Sequence, residues 1–334
     1  MGQIDILSVG DVVTDAFIKL LDDQATAYTN ENGKWLAMPF ATKLPFDHVE
    51  VVEGVGNAAN AAVAFSRLGL KTGFAANVGN DDAGRGMILA LHKQGVDTRF
   101  MHINPGKKSN YHYVLWYKDE RTILIKHEEY DYRWPKFKPA EIPRWLYFSS
   151  ISEQAIDEYH DEVVDWLEEN PEVRLAFQPG TYQMKAGVKK LKKLYQRTEV
   201  LVLNREEAAY VGGGKHEDLN DLFDHLHKLG PKVVIITDGP DGAYASDGTV
   251  RLSMPLYPDP APPKDRTGAG DSFASTLVAA IAKGMSLETA LTWAPINSMS
   301  VVQKVGAQAG LLTERQLLRY LHHAPKNYHP KKLS

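Results

Sequence analysis

The sequence predicts an α/β protein: a parallel sheet covered by helices on both faces, with a small separate β-sheet as a cover over one edge. Three observations predict it. Short apolar runs bounded by turn residues recur along the chain, helical patterns lie between most of them, and two strand-like stretches interrupt that rhythm. Strands alternating with helices favour parallel pairing, because each crossover lays a helix on a face of the sheet.

The elements follow in order. Ile4, Ile6, Leu7 and Val9 read as a buried first strand ending at Gly10. Residues 58–68 are rich in alanine and read as a helix, with Gly69 where a C-terminal cap is expected. Residues 71–78 read as a strand and 83–94 as a helix closed by Gly95. Further strands are predicted at 145–149, 175–177, 200–203 and 233–237, with helices at 155–169, 185–195 and 219–229. Lys189, Lys190, Lys192 and Lys193 surround Leu191 and Leu194, as on a solvated helix face. Residues 17–52 show little helical period and two turn signals, at 30–33 and 44–45. Residues 107–132 alternate through Tyr111, Tyr113, Leu115 and Tyr117 and turn back at 118–121, as a hairpin does. The expected division is a core of 1–16, 53–106 and 133–325, a β-lid of 17–52 and 107–132, and a tail of 326–334.

Composition narrows the function. The 334 residues suit two domains or one large α/β unit. Hydrophobic residues at 43% and charged ones at 24% argue against a disordered, collagen-like or coiled-coil chain. Lys and Arg number 38 against 42 Asp and Glu, so the basic surplus of a nucleic-acid binder is missing. The apolar run 273–282, bracketed by Asp271 and Lys283, is too short to span a bilayer, so no membrane partner is expected. The N-terminus lacks the basic and apolar regions of a signal peptide, and a cytoplasmic protein is the economical expectation. There is no cysteine, which removes disulfides, thiolate nucleophiles and Cys-based metal sites. No P-loop, G-x-G-x-x-G, H-E-x-x-H or G-x-S-x-G motif occurs. His225 and His227 lie two apart, on different sides of a helix, and read as surface residues.

Several segments carry residues suited to chemistry. In Asp265-Arg-Thr-Gly-Ala-Gly-Asp271, glycines precede an apolar helical run. They free backbone N–H groups to point at one spot, where the helix dipole adds positive charge, a place for a phosphate. Asp271 fits there if its carboxylate meets an incoming hydroxyl; the plainer alternative is a first-turn charge stabilising the helix. Asn204-Arg-Glu-Glu207 after a strand is either a capping box or a polar pair holding Mg2+ through its waters. Thr237-Asp-Gly239-Pro-Asp-Gly242 is either a glycine hairpin turn or a strand end contacting a nucleotide phosphate. In Gly54-Val-Gly56-Asn57-Ala-Ala-Asn60, small residues suit close helix–sheet packing with Asn57 as cap; alternatively Gly56 and Asn60 face a polyhydroxylated ligand. Asp11 and Asp15 follow the first strand, at the edge where open α/β sheets bind ligands, and a carboxylate there accepts two hydroxyl hydrogen bonds.

Taken in order, these segments resemble the PfkB / ribokinase family of carbohydrate kinases. The specific part is 265–273 with Asn297 and Gly306-Ala-Gln308; next is 54–69, ending Ser66-Arg-Leu-Gly69; Asn204, Glu207, Thr237, Gly239 and Gly242 fit between. The resemblance covers about residues 4–320. It implies a ribokinase-like, Rossmann-type three-layer α/β domain with a small β-sheet lid. By the same resemblance Asp271 is the expected catalytic base, and the backbone of Gly268, Ala269 and Gly270 the anion hole. Asn204 and Glu207 match the Mg2+–phosphate pair, Thr237, Gly239 and Gly242 the nucleotide segment, and Asn297 a residue beside the adenine. Asp15, Gly56 and Asn60 match sugar contacts. Asp265, Thr267, Val301, Lys304, Gly306 and Gly310 fall where some members hold a monovalent cation such as K+ through carbonyls and a carboxylate. Two departures stand out: Val55 replaces a usual glycine, and Arg266 stands where Thr is common.

The implied activity is ATP-dependent phosphorylation of a hydroxyl of a small sugar. A nucleoside is the rival acceptor, since Tyr28, Trp35 and Phe40 of the lid offer rings for a base. A phosphosugar would need cations, with Lys43, Lys107, Lys108, Arg121 and Lys126 as candidates. A non-catalytic sugar-binding protein is the remote alternative, against which the full Gly-Ala-Gly-Asp turn speaks. Unpaired lid edges favour a homodimer through the lid.

Overall fold

The computed structural model describes residues 3–31, 33–118 and 120–333. The chain enters the main sheet through β1 (Ile6–Val9) and leaves it for β2 (Val13–Leu20), the hairpin β3 (Thr26–Asn30) and β4 (Gly33–Ala37), and β5 (Phe46–Val55). It returns through α1 (Asn57–Arg67), β6 (Thr72–Gly79), α2 (Asp82–Lys93) and β7 (Met101–Asn104), then adds β8 (Tyr111–Tyr117) and β9 (Glu120–Leu124). The main sheet resumes with β10 (Trp145–Phe148), α3 (Glu158–Glu169), β11 (Arg174–Phe177), α4 (Thr181–Lys190), α5 (Lys192–Arg197) and β12 (Thr198–Asn204). After these come α6 (Arg205–Gly212), α7 (Leu219–Lys228), β13 (Val233–Thr237), β14 (Ala243–Ser246), β15 (Arg251–Met254), α8 (Ala269–Ala282), α9 (Leu287–Val302), α10 (Glu314–His322) and β16 (Lys331–Lys332).

The main sheet has the order β16-β15-β14-β13-β12-β11-β10-β1-β6-β7. It is parallel from β13 to β7 and antiparallel from β13 to β16. Its central strands are mostly apolar and buried because both faces are covered, and alternate side chains divide between two cores. Tyr147, Val200, Val202 and Ile235 pack with Leu277 and Val278 of α8 and Trp293 of α9 on one face. Phe148, Leu201, Leu203 and Ile236 pack with Val163 of α3, Leu194 of α5 and Phe223 of α7 on the other. The alternation thus yields the three layers the sequence predicts.

A separate sheet, β5-β2-β8-β9, forms the lid, and β3-β4 is a further hairpin. β2 runs antiparallel to β5 and parallel to β8. The lid strands start earlier and end later than hydropathy suggests: β2 begins at Val13 and β5 continues to Val55. Of the anticipated turn residues, Asn32 and Asp119 lie outside the described residues. The single helix expected at 185–195 is divided at Leu191 between α4 and α5, and Gly187, at a positive φ of 84°, puts a kink inside α4.

α8 is buried from Asp271 to Ala280 and lies between the sheet and α9, which fixes its first turn in space. Leu277, fully buried about two turns beyond the start of the helix, anchors it. Leu277→Ala is expected to cost about 2–5 kcal/mol, read as a lower urea midpoint at unchanged slope. A midpoint equal to the parent's would contradict the anchoring role.

Candidate active site

The C-terminal ends of β11, β12 and β13, the start of α8 and the inner residues of the lid enclose one cavity of about 420 Å³. Asp15 and Phe17 of β2, Val55 of β5, His112 of β8 and Ile123 of β9 line its lid side. Asn204, Glu207, Thr237 and residues 266–271 line the core side. This is the strand edge where open α/β sheets place ligands.

Gly268 precedes α8 in a left-handed conformation, φ 79°. A Cβ there would lie 2.4 Å from Cβ of Ala307, so only glycine lets the two loops meet. A Cβ at Gly270 would meet nothing within 4 Å. The first N–H groups of an α-helix have no intrahelical acceptor, so those of α8 are aimed at the cavity wall they form. Arg266, exposed and also lining the cavity, adds a full positive charge at this end.

Asp271 is 8% exposed and lies in this wall. Asn57 Nδ2 donates to its Oδ1 at 2.9 Å, and Asn60 Nδ2 donates to its Oδ2 at 2.9 Å. Burial pushes its pKa above the usual carboxylate range, while the amides of Asn60, Asn57 and Gln178 pull it back by favouring the ionised form. The Tyr147 hydroxyl, buried and near this carboxylate, is pushed well up and donates to Gln178. The result is a carboxylate held in place, partly desolvated and facing space for a ligand.

Asn204 and Glu207 form the capping box that sequence spacing allowed: Asn204 Oδ1 accepts the Glu207 N–H at 2.8 Å, and Glu207 Oε2 accepts the Asn204 N–H at 2.9 Å. Both also line the cavity, so the two readings coexist. Burial, and to a lesser degree the nearby Asp271 charge, raises the Glu207 pKa. Two carboxylates raised in one cavity fit a divalent cation, whose charge would relieve both.

The remaining expectations divide. Asp15, Gly56, Thr237, Thr267 and Gly306 line the cavity. Asn60 does too, but its amide nitrogen is committed to Asp271 and its Oδ1 accepts from Gln308 at 3.1 Å. Asn297 is not beside any cavity: fully buried, it donates to Thr276 Oγ1 at 2.8 Å and accepts the Leu312 N–H at 2.9 Å. It pins α9 to α8 because a buried amide needs both partners. Gly239 and Gly242 lie outside the lining; Gly242, at φ 90°, sits where a Cβ would be 2.3 Å from the Met254 carbonyl, which is the hairpin-turn alternative.

Asp265, Val301, Lys304 and Gly310 also stay outside the cavity lining. Asp265 accepts from the Thr267 N–H and hydroxyl and the Gly306 N–H, and it pairs with Arg121 at 3.1 Å. The Val301 and Gly310 carbonyls accept from the Lys304 N–H and the Ser300 hydroxyl. None of Lys43, Lys107, Lys108, Arg121 or Lys126 lines the cavity; Lys126 pairs with Glu128.

Sequence reading missed Asn57 and His112. Asn57 is not a cap; Gly56 is, and Asn57 reaches Asp271 from the same helix face as Asn60, a spacing of three that could have flagged the pair. His112 faces Asp15 because β8 pairs with β2 in that register, Nδ1 lying 3.4 Å from Oδ1. A second chamber of about 300 Å³, lined by Asp11, His127, Tyr182 and Lys185, shares His112, Gly56 and Asn57 with the first.

The sequence profile of the pfkB family of carbohydrate kinases matches residues 46–314. Ribokinase of Bacillus subtilis is 27% identical over 270 residues, covering 78% of this chain and 85% of its own. Cytidine kinase of Thermococcus kodakarensis is 33% identical over 116 residues, 35% of this chain and 41% of its own. The fold matches that of Arabidopsis thaliana ribokinase, solved with ribose and ATP, at a TM-score of 0.77 and 19% identity, over 96% of this chain and 99% of that one.

Replacing Asn57 by Ala removes a hydrogen bond that favours the ionised form, so the Asp271 pKa should rise further. Carboxyl carbon shifts of aspartate-labelled protein, with Asp271→Asn to assign the signal, would show the midpoint moving to higher pH. An unmoved midpoint would remove Asn57 from the site.

Proposed function

From the premise that this chain belongs to the pfkB family of carbohydrate kinases, and so is a phosphotransferase with an alcohol acceptor, we propose that it transfers the γ-phosphoryl group of ATP to a hydroxyl of a small neutral sugar, with Asp271 as general base. The observation that carries this reading is one carboxylate, held by two amides, at the head of a glycine-opened helix.

The nucleotide lies along the ends of β12 and β13, near Asn204 and Thr237. Its γ-phosphate rests against the first N–H groups of α8, with Arg266 beside it. Asp271 accepts the proton of the acceptor hydroxyl as that oxygen attacks phosphorus in line and the bond to the leaving ADP oxygen breaks. Burial raises the basicity of Asp271, which helps it take that proton near neutral pH. Glu207 and Asn204 would hold Mg2+, which would supply positive charge to neutralise the phosphates. The lid keeps water from the phosphoryl group.

Asp15 and His112 hold hydroxyls of the acceptor, and Asn60 positions Asp271. A phosphorylated sugar is disfavoured to the extent that none of Lys43, Lys107, Lys108, Arg121 and Lys126 lines the cavity, although Lys185 stands on the wall of the adjoining chamber. A nucleoside acceptor is the second reading. The adjoining chamber of about 300 Å³ favours it, with the rings of His127 and Tyr182 on its wall; the cytidine kinase relative lends it further support.

ATP as donor makes a cytoplasmic setting part of the proposal. A homodimer through the lid belongs to it too, supported by exposed lid side chains such as Phe40 at 96% and Phe46 at 53%. Sedimentation at micromolar concentration should find a dimer; a monomer alone would count against it.

Asp271→Asn should keep the nucleotide dissociation constant within a few-fold while phosphoryl transfer falls by about 10²–10⁴. Equilibrium binding of a fluorescent ATP analogue and a coupled ADP assay read the two. Near-parental turnover in the variant would sink the base assignment.

A further inference from the structure

We infer that the guanidinium of Arg121 takes the place of a monovalent cation at Asp265, so that this kinase works without K+. The inference rests on the nucleotide site proposed above. Asp265 lies six residues before Asp271 and ties the loop before α8 to the loop after α9. Its Oδ1 accepts from the Thr267 N–H at 2.9 Å and hydroxyl at 2.6 Å, and its Oδ2 accepts from the Gly306 N–H at 2.9 Å. Three neutral donors orient the carboxylate but leave its charge uncompensated in a largely enclosed place. Arg121 supplies that compensation: Nη1 donates to Oδ1 at 3.1 Å, with the two side chains 29% and 10% exposed.

A further observation leaves little room for an added ion beside Arg121. The crevice around this pair, bounded by Phe17, Trp116, Glu120, Lys264 and Val305, holds about 10 Å³, at the lower limit for a single water. Glu120 and Lys264 bring one charge of each sign to it, so Arg121 is the cation that meets Asp265. A guanidinium is always protonated and lies flat against a carboxylate, so it satisfies Asp265 as a fixed part of the chain.

The position of Arg121 adds a consequence. It stands on β9, a lid strand, so the charge reaches the loops before α8 only when the lid is in place. A soluble ion would be indifferent to the lid. Here the anion hole is completed by the same element that covers the acceptor.

The test uses the full chain and needs no acceptor. Binding of a fluorescent ATP analogue and the thermal unfolding midpoint are measured in KCl and in tetramethylammonium chloride at equal ionic strength. The parent protein should give the same values in both. Arg121→Gln should weaken binding by about tenfold or more in tetramethylammonium, with KCl recovering much of the loss, whereas Arg121→Lys should stay close to the parent. A parent protein that needs K+ overturns the inference. So does an Arg121→Gln protein that is indifferent to K+ in both readouts. Failure of every acceptor in a kinase assay would sink the kinase reading and leave these measurements standing.

Discussion

A single ionisable group, the carboxylate of Asp271, organises this molecule. Its side chain is almost out of water, which by itself raises its pKa. The amides of Asn57 and Asn60 make ionisation tolerable, and they come from α1, on the far side of the cavity in sequence. The carboxylate must also sit beside helix N–H groups, whose partial charge favours an anion. Buried, hydrogen-bonded by two amides and close to the start of α8, it has the surroundings that the proposed base for phosphoryl transfer requires.

The rest of the fold serves that placement. The parallel strands end together, so Gln178, Asn204 and Thr237 arrive at one edge from three different strands. α8 is packed on all sides, and that packing sets its first turn against the strand ends. The lid arrives as two insertions that pair with each other, β2 with β8, and this pairing alone brings His112 to Asp15. Arg121 extends the lid's reach to the loop before α8.

Much of this was legible in the sequence, and the limits have physical causes. The layered core was legible because strands buried on both faces read as unbroken apolar runs, as at 145–148 and 200–203. The Gly-Ala-Gly-Asp turn was legible because few other uses require glycine there. Strand pairing in the lid was not legible: its alternation shows a strand, and the partner's register is set only by tertiary contact. That hid His112 and the pairing of Arg121 with Asp265. Asn297 and Asn60 mislead for a related reason. An amide is equally suited to a ligand and to another side chain, and only burial with both partners named decides between them. Gly187 kinks a helix that composition alone would continue.

The most direct measurement follows phosphorus itself. The protein is incubated with ATP, Mg2+ and, one at a time, neutral sugars and nucleosides, and the products are read by phosphorus NMR. The account predicts a new phosphomonoester signal with an equal amount of ADP for at least one neutral acceptor. Release of inorganic phosphate alone, or phosphorylation only of acceptors already carrying a phosphate, would contradict it.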